Sequence, residues 1–138
     1  MTKQEIRDEA KEIEGNPQMK ARIRQIQRAR ARRQMLKAVK RASIVVVNPT
    51  HYAVALYYEL NTRTVPTVVA KGQNYLAQRI KDKALEHNIP IIENVALAQA
   101  LYKSTEVGQE IPPHLYRAVA EVLAYIYRTL NRDVPGPR

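Results

Sequence analysis

Cysteine, tryptophan and phenylalanine are missing from this chain of 138 residues, and glycine occurs only four times. The lack of Cys excludes a disulfide framework and a thiolate metal site. The His residues at 51, 87 and 114 are too scattered to suggest a metal cluster. Gly15, Gly72, Gly108 and Gly136 each stand alone, so neither a Walker loop nor a Gly-rich dinucleotide signature is present. No cofactor or metal is expected. No run approaches the roughly 18 apolar residues that span a bilayer, and the charged N-terminus lacks the apolar core of a secretory signal. There is no internal repeat. The length fits one small domain with an extension.

Acidic residues are also scarce in one region. Net charge is +10, and residues 1–41 hold 13 Lys/Arg against 5 Asp/Glu, whereas residues 42–138 hold 10 against 8. Residues 19–41 contain ten basic side chains and no acid. Such a block reads as an arm or linker that meets phosphates, in nucleic acid or in lipid headgroups. No Phe, Trp or Tyr occurs in it to stack on bases. We therefore read a linker close to a membrane, with a plain solvated helix next and a nucleic-acid arm a distant third, so that no nucleic acid is expected; the alternative function is a basic α/β domain that binds nucleic acid or a membrane surface and carries a structural Asn-Pro turn.

What is present has a clear order. Residues 1–41 are rich in helix formers and are interrupted at Gly15-Asn16-Pro17. Their apolar stripe (Met19, Ile23, Ile26) is thin, gives way to Arg30 and Arg33, and resumes at Met35, Leu36 and Val39. From Ser43 the texture changes. Residues 43–48 and 52–59 read as strands, and their short connection predicts an antiparallel hairpin. Residues 67–70 form a third strand closed by Lys71-Gly72. A helix follows over 74–87, capped by Asn74, with Leu76, Ile80 and Ala84 on one face. A short strand over 90–93 completes a parallel crossover. Asn94 caps a helix over 95–103, and Pro112-Pro113 opens a last helix lined by Leu115, Val119, Val122, Ile126 and Leu130. His87 falls at a helix end, His114 in an exposed first turn, and Tyr57 and Tyr58 on opposite sides of their strand. The expected fold is α/β: a small central mixed sheet of about four strands flanked by helices, preceded by a long basic linker helix. The expected organisation is a charged linker over 1–41, a globular domain over 42–130 and a disordered tail over 131–138.

The hairpin connection, Asn48-Pro49-Thr50-His51, holds the most distinctive chemistry. Its plain reading is a turn, since Asn-Pro starts turns and the Asn side chain bonds the backbone nearby. N-glycosylation is excluded by the intervening Pro. The sharper reading rests on what Pro49 removes. An Asn ordinarily cyclises when the next residue's backbone nitrogen attacks its side-chain carbonyl, and Pro49 has no N–H to lose. The remaining cyclisation runs the other way: the Asn48 side-chain nitrogen attacks Asn48's own backbone carbonyl, a succinimide forms, and the bond to Pro49 breaks. A rigid turn favours that intramolecular attack, and strain would weaken the tertiary amide. His51 is placed to move a proton, help worth about 10²–10⁴-fold. Thr50 shapes the turn. The products, 1–48 and 49–138, would stay together through the sheet. Lys71-Gly72 has two readings, a partner-binding spot or a strand-ending turn.

Asn48-Pro49-Thr50-His51 with Tyr52-Ala53-Val54-Ala55-Leu56 resembles the cytoplasmic domain of the FlhB/YscU family, the export-switch proteins of flagellar and virulence type III secretion. Val69-Ala70-Lys71-Gly72, Ile89-Pro90-Ile91-Ile92-Glu93-Asn94, Gly108-Gln109-Glu110-Ile111-Pro112 and the stretch 115–125 resemble family segments in family order. Upstream, residues 3–9 and Glu14-Gly15-Asn16-Pro17 resemble the linker that leaves the membrane part. The likeness covers about residues 2–128 and looks more flagellar than virulence-type. It implies a transmembrane part ahead of this segment and a location on the cytoplasmic face of the bacterial inner membrane. It also implies self-cleavage between Asn48 and Pro49, and a switch of export from rod- and hook-type to filament-type proteins. The implied partners are export gate proteins, a hook-length control protein and the export substrates.

Overall fold

The computed structural model describes residues 15–49 and 51–130. The expectations for the first part of the linker, for Thr50 and for the tail lie outside the described residues. The chain divides into two units, Met1–Gln34 and Met35–Arg138. Helix α1 (Pro17–Ala38) begins in the first and ends in the second. The interruption foreseen at Gly15-Asn16-Pro17 is its start. The Asn16 side chain accepts N–H bonds from Gln18 at 3.1 Å and Met19 at 3.2 Å, and Pro17 sits at the first helical position, where a missing N–H costs little. Met19 and Ile26 are exposed, as the thin stripe implies.

The second unit is a sheet between two helical layers. Leu36 in the last turn of α1 and Val39 in the 3₁₀ turn Val39–Arg41 are buried. Four strands follow in the order β3-β2-β1-β4: β1 (Ile44–Asn48), β2 (Tyr52–Tyr57), β3 (Thr67–Gln73) and β4 (Ile91–Glu93). β1 pairs antiparallel with β2 and parallel with β4, and β2 pairs antiparallel with β3. The register shifts between Ala55 and Leu56, which face Ala70 and Val68. The helices are α2 (Tyr75–Glu86), α3 (Val95–Ser104) and α4 (Tyr116–Leu130).

The unbroken apolar run of β1 follows from its position. An interior strand covered on both faces loses the alternation of a half-exposed one. Ile44, Val46, Val54, Leu56 and Val68 pack with Leu97, Leu101, Val119, Val122 and Ile126 of α3 and α4. Val45, Val47, Ala53, Ala55 and Ala70 pack with Ala77, Ile80 and Ala84 of α2 and with Leu36 and Val39. The second face is lined with Ala, which leaves room for a helix to lie close.

Three local expectations need correction. Lys71-Gly72 does not close β3: Lys71 pairs with Val54 and Gly72 with Ala53, inside the ladder. Gly72 is required there because a Cβ would lie 2.7 Å from Leu76 Cγ and 2.9 Å from Leu76 Cβ, in the first turn of α2. Asn74 stands before α2 without a side-chain capping bond, at φ 53 and ψ −118. Pro112-Pro113 opens a 3₁₀ turn, Pro113–Leu115, before α4; Pro112 is held extended by the ring that follows it, and Leu115 N–H donates to the Pro112 carbonyl at 3.0 Å. Other details hold. Asn94 caps α3 by accepting the Leu97 N–H at 3.1 Å, and His87 lies at the C-terminal end of α2. Tyr57 is exposed, whereas Tyr58 packs against the core. β2 is shorter than expected because Tyr58 leaves the ladder for Ser43, whose hydroxyl accepts its N–H at 2.9 Å and donates to its carbonyl at 3.1 Å. The side chain of Leu130 is outside the description.

Candidate functional site

Strand pairing builds the turn of interest. Asn48 is the last residue of β1 and faces Tyr52, the first of β2. The His51 N–H donates to the Asn48 carbonyl at 2.9 Å, so the connection closes on itself. Asn48 and Pro49 are half-buried and His51 is exposed. Asn48 therefore has its carbonyl oxygen held by a fixed donor, and its next peptide nitrogen belongs to a proline. A carbonyl polarised in this way is a better electrophile, because the donor meets negative charge as it grows on that oxygen.

The turn is also held from outside at two points. The Asn94 N–H donates to the Val47 carbonyl at 3.0 Å, and the Asn74 N–H donates to the His51 carbonyl at 2.9 Å. Each bond involves a residue at the start of a helix that follows a strand end. The sequence assigned both asparagines as side-chain caps. Asn94 does cap and also holds the turn, while Asn74 acts through its backbone alone. Nothing in residue type reveals a main-chain contact of this kind; the one available signal was that Asn tolerates positive φ better than other non-glycine residues.

Lys71 turns out to be a brace. Its ammonium donates to the Tyr102 carbonyl at 2.9 Å and the Thr105 carbonyl at 2.6 Å, where the C-terminal turn of α3 leaves acceptors free. It lies 4.7 Å from the Tyr102 ring centroid and 3.6 Å from the Glu106 carboxylate. The Tyr102 ring in turn meets Tyr52 at 4.6 Å between centroids. The strand beyond the turn is thus tied through two aromatic rings to the end of α3.

A concavity of about 390 Å³ is walled by Tyr58, Pro66, Ile111, Ala120, Leu123 and Tyr127, among others. Burial, with a smaller contribution from Tyr58, pushes the Tyr127 phenol above its ordinary value. Among the described residues no group of three or more His, Asp or Glu is placed to hold a metal ion, and no helix is long and apolar enough to cross a membrane.

Comparison with known proteins gives concordant matches. The sequence profile of the FlhB HrpN YscU SpaS family matches residues 1–126. Flagellar biosynthetic protein FlhB of Yersinia enterocolitica is 56% identical over 128 residues, which is 93% of this chain and 33% of that protein. The chain spans about a third of the length of the curated relatives it matches. Among solved structures, the cytoplasmic domain of FlhB from Shewanella putrefaciens aligns with a TM-score of 0.68 at 42% identity, covering 72% of this chain and 82% of that one. A C-terminal domain of EscU with an asparagine replaced by alanine aligns with a TM-score of 0.62 at 33% identity, covering 66% and 91%. A further EscU structure carries alanine in place of the proline at the next position.

Proposed function

This chain belongs to the FlhB HrpN YscU SpaS family, and on that premise we propose that it is the cytoplasmic part of a flagellar type III protein-export component that cuts its own backbone between Asn48 and Pro49. The observation that carries this reading is the 2.9 Å bond from the His51 N–H to the Asn48 carbonyl, on a residue followed by proline.

The Asn48 side-chain nitrogen loses a proton and bonds to the Asn48 backbone carbon. Charge gathers on the carbonyl oxygen, where the His51 N–H receives it. The carbon–nitrogen bond to Pro49 then breaks as the proline nitrogen gains a proton. The products are a chain ending in a succinimide and a chain beginning with a secondary amine. Water later opens the succinimide. The His51 imidazole serves as proton carrier, and Thr50 shapes the turn. The reaction happens once per molecule and needs no cofactor.

The strand order supports a cut that leaves the domain intact. β1 belongs to fragment 1–48, and its neighbours β2 and β4 both belong to 49–138. Ile44, Val45 and Val46 are fully buried and Val47 nearly so, each contributing about 1.5–3 kcal/mol by burial. The fragments therefore remain one folded unit while the turn gains free ends.

We assign residues 1–41 to a basic linker from a membrane part, 42–130 to the processed domain and 131–138 to a tail. The whole protein then sits in the bacterial inner membrane with this part on the cytoplasmic face. Freed turn ends would change the surface presented to gate proteins, a hook-length control protein and export substrates, and so change export from rod- and hook-type to filament-type proteins. Intact-mass measurement of the denatured protein tests the cut. Two masses, for 1–48 and 49–138, are expected after storage, and a single uncut mass would overturn it.

A further inference from the structure

Asn74 occupies the residue before a 12-residue helix, where an asparagine ordinarily accepts an N–H bond with its side chain. It makes no such bond. Its backbone instead takes φ 53 and ψ −118, a positive φ that a non-glycine residue keeps only when its surroundings demand it. This conformation bends the chain from β3 into α2 while the Asn74 N–H, next along the ladder after the Tyr52–Gln73 pair, stays on the His51 carbonyl at 2.9 Å.

His51 is bonded on both sides by this arrangement. Its N–H donates to the Asn48 carbonyl, and its own carbonyl receives Asn74. The two peptide groups flanking His51 are therefore each held by one bond. Neighbouring packing fixes where Asn74 itself sits. Gly72 lets Leu76 approach to a distance that a Cβ would not permit, and Gln73 pairs with Tyr52, the residue after His51. The start of α2 is thus pressed against the end of β3 beside the turn.

We infer that Asn74 is a positioning residue for backbone cleavage at Asn48: its main-chain N–H fixes the His51 carbonyl and so keeps the His51 N–H on the Asn48 carbonyl while charge develops there. This rests on the reaction proposed above. A donor that is already in place when charge appears needs no rearrangement, and a small misplacement of such a group is costly in rate. Both partners, His51 and Asn74, lie in fragment 49–138. The bond therefore survives the cut.

The test uses the 138-residue chain with three changes at one position. An ester in place of the Asn74 amide deletes the donor and keeps the side chain. Asn74→Val keeps the donor but resists positive φ. Asn74→Gly keeps the donor and accepts positive φ. First-order cleavage rates are read at a temperature where circular dichroism reports each protein fully folded, so that lost stability alone does not move them. The ester and Asn74→Val should slow cleavage about 10- to 100-fold, and Asn74→Gly should recover most of the loss. Wild-type rates in the ester and Asn74→Val proteins would overturn the inference. Amide hydrogen exchange at His51, measured in uncleavable Asn48→Ala protein, supplies a second reading. Exchange should quicken when Asn74→Val is added, and unchanged protection would overturn the contact independently of cleavage. If the wild-type chain never cuts, the proposed reaction falls while the exchange result still judges Asn74.

Discussion

The donor on the Asn48 carbonyl is the main-chain N–H of His51, at 2.9 Å, and the ring of His51 is not needed for it. Backbone and side chain of one residue can therefore be separated. His51→Ala retains the turn bond and loses only proton transfer by the imidazole. Cleavage should continue in this variant, slowed by no more than about 10²–10⁴-fold, while Asn48→Ala should not cleave at all. Rates come from timed samples on denaturing gels. Kinetics unchanged in His51→Ala would remove the imidazole from the mechanism and leave the backbone donor.

Pro49 decides the direction of cyclisation. Pro49→Ala returns a backbone N–H to that position, and its nitrogen can then attack the Asn48 side-chain carbonyl. The expected outcome is deamidation at Asn48 with the chain intact, at the expense of cleavage. Peptide mapping after storage distinguishes the two. Cleavage at the wild-type rate with no deamidation would contradict the role assigned to the proline.

Gly72 is a packing requirement, and its replacement should act on stability. In Gly72→Ala the new Cβ would meet Leu76 at 2.7 and 2.9 Å and the Leu76 backbone carbon at 3.1 Å, so α2 must move off β3. A loss of about 1–3 kcal/mol is expected, read from urea unfolding. A midpoint equal to wild type would mean that the helix shifts without cost.

Much of this architecture was legible in the residues. The Val-rich run before Asn48, the hairpin and the Asn94 cap follow from β-propensity, connection length and capping chemistry. The misreadings cluster where tertiary contacts overrule local preference. Lys71-Gly72 looks like a strand end, yet the glycine is kept for the approach of Leu76 and the lysine reaches the Tyr102 and Thr105 carbonyls at the end of α3. Asn74 looks like a cap, yet its backbone serves His51. At the candidate site, Asn48, Pro49 and His51 were readable as residue types. The main-chain donors that hold them were not, because an N–H belongs to every residue but proline and its aim depends on the fold.

Tyr127 gives a pH signature for the concavity that it lines with Tyr58. Its phenol is pushed above the ordinary value of 10.0, first by burial and then by Tyr58. The folded state thus holds this proton more tightly than the unfolded state. The resulting stability is fully present below about pH 10 and is lost as pH rises through the folded value. Melting temperatures followed into the alkaline range should fall less steeply in Tyr127→Phe than in wild type; parallel curves would mean that Tyr127 titrates as an exposed tyrosine.

Cyclisation leaves a chemical mark that simple hydrolysis does not. A freshly cut 1–48 fragment should end in a succinimide, one water lighter than the same fragment with a hydrolysed end, and should gain that water with time. Its partner should begin at Pro49 with unchanged mass. Time-resolved mass spectrometry of freshly purified protein, with Asn48→Ala as the uncut control, reads both ends at once. The account predicts the lighter 1–48 species first, converting to the heavier one. An uncut chain, or fragments carrying the full water from the earliest time point under conditions that preserve succinimides, would contradict it.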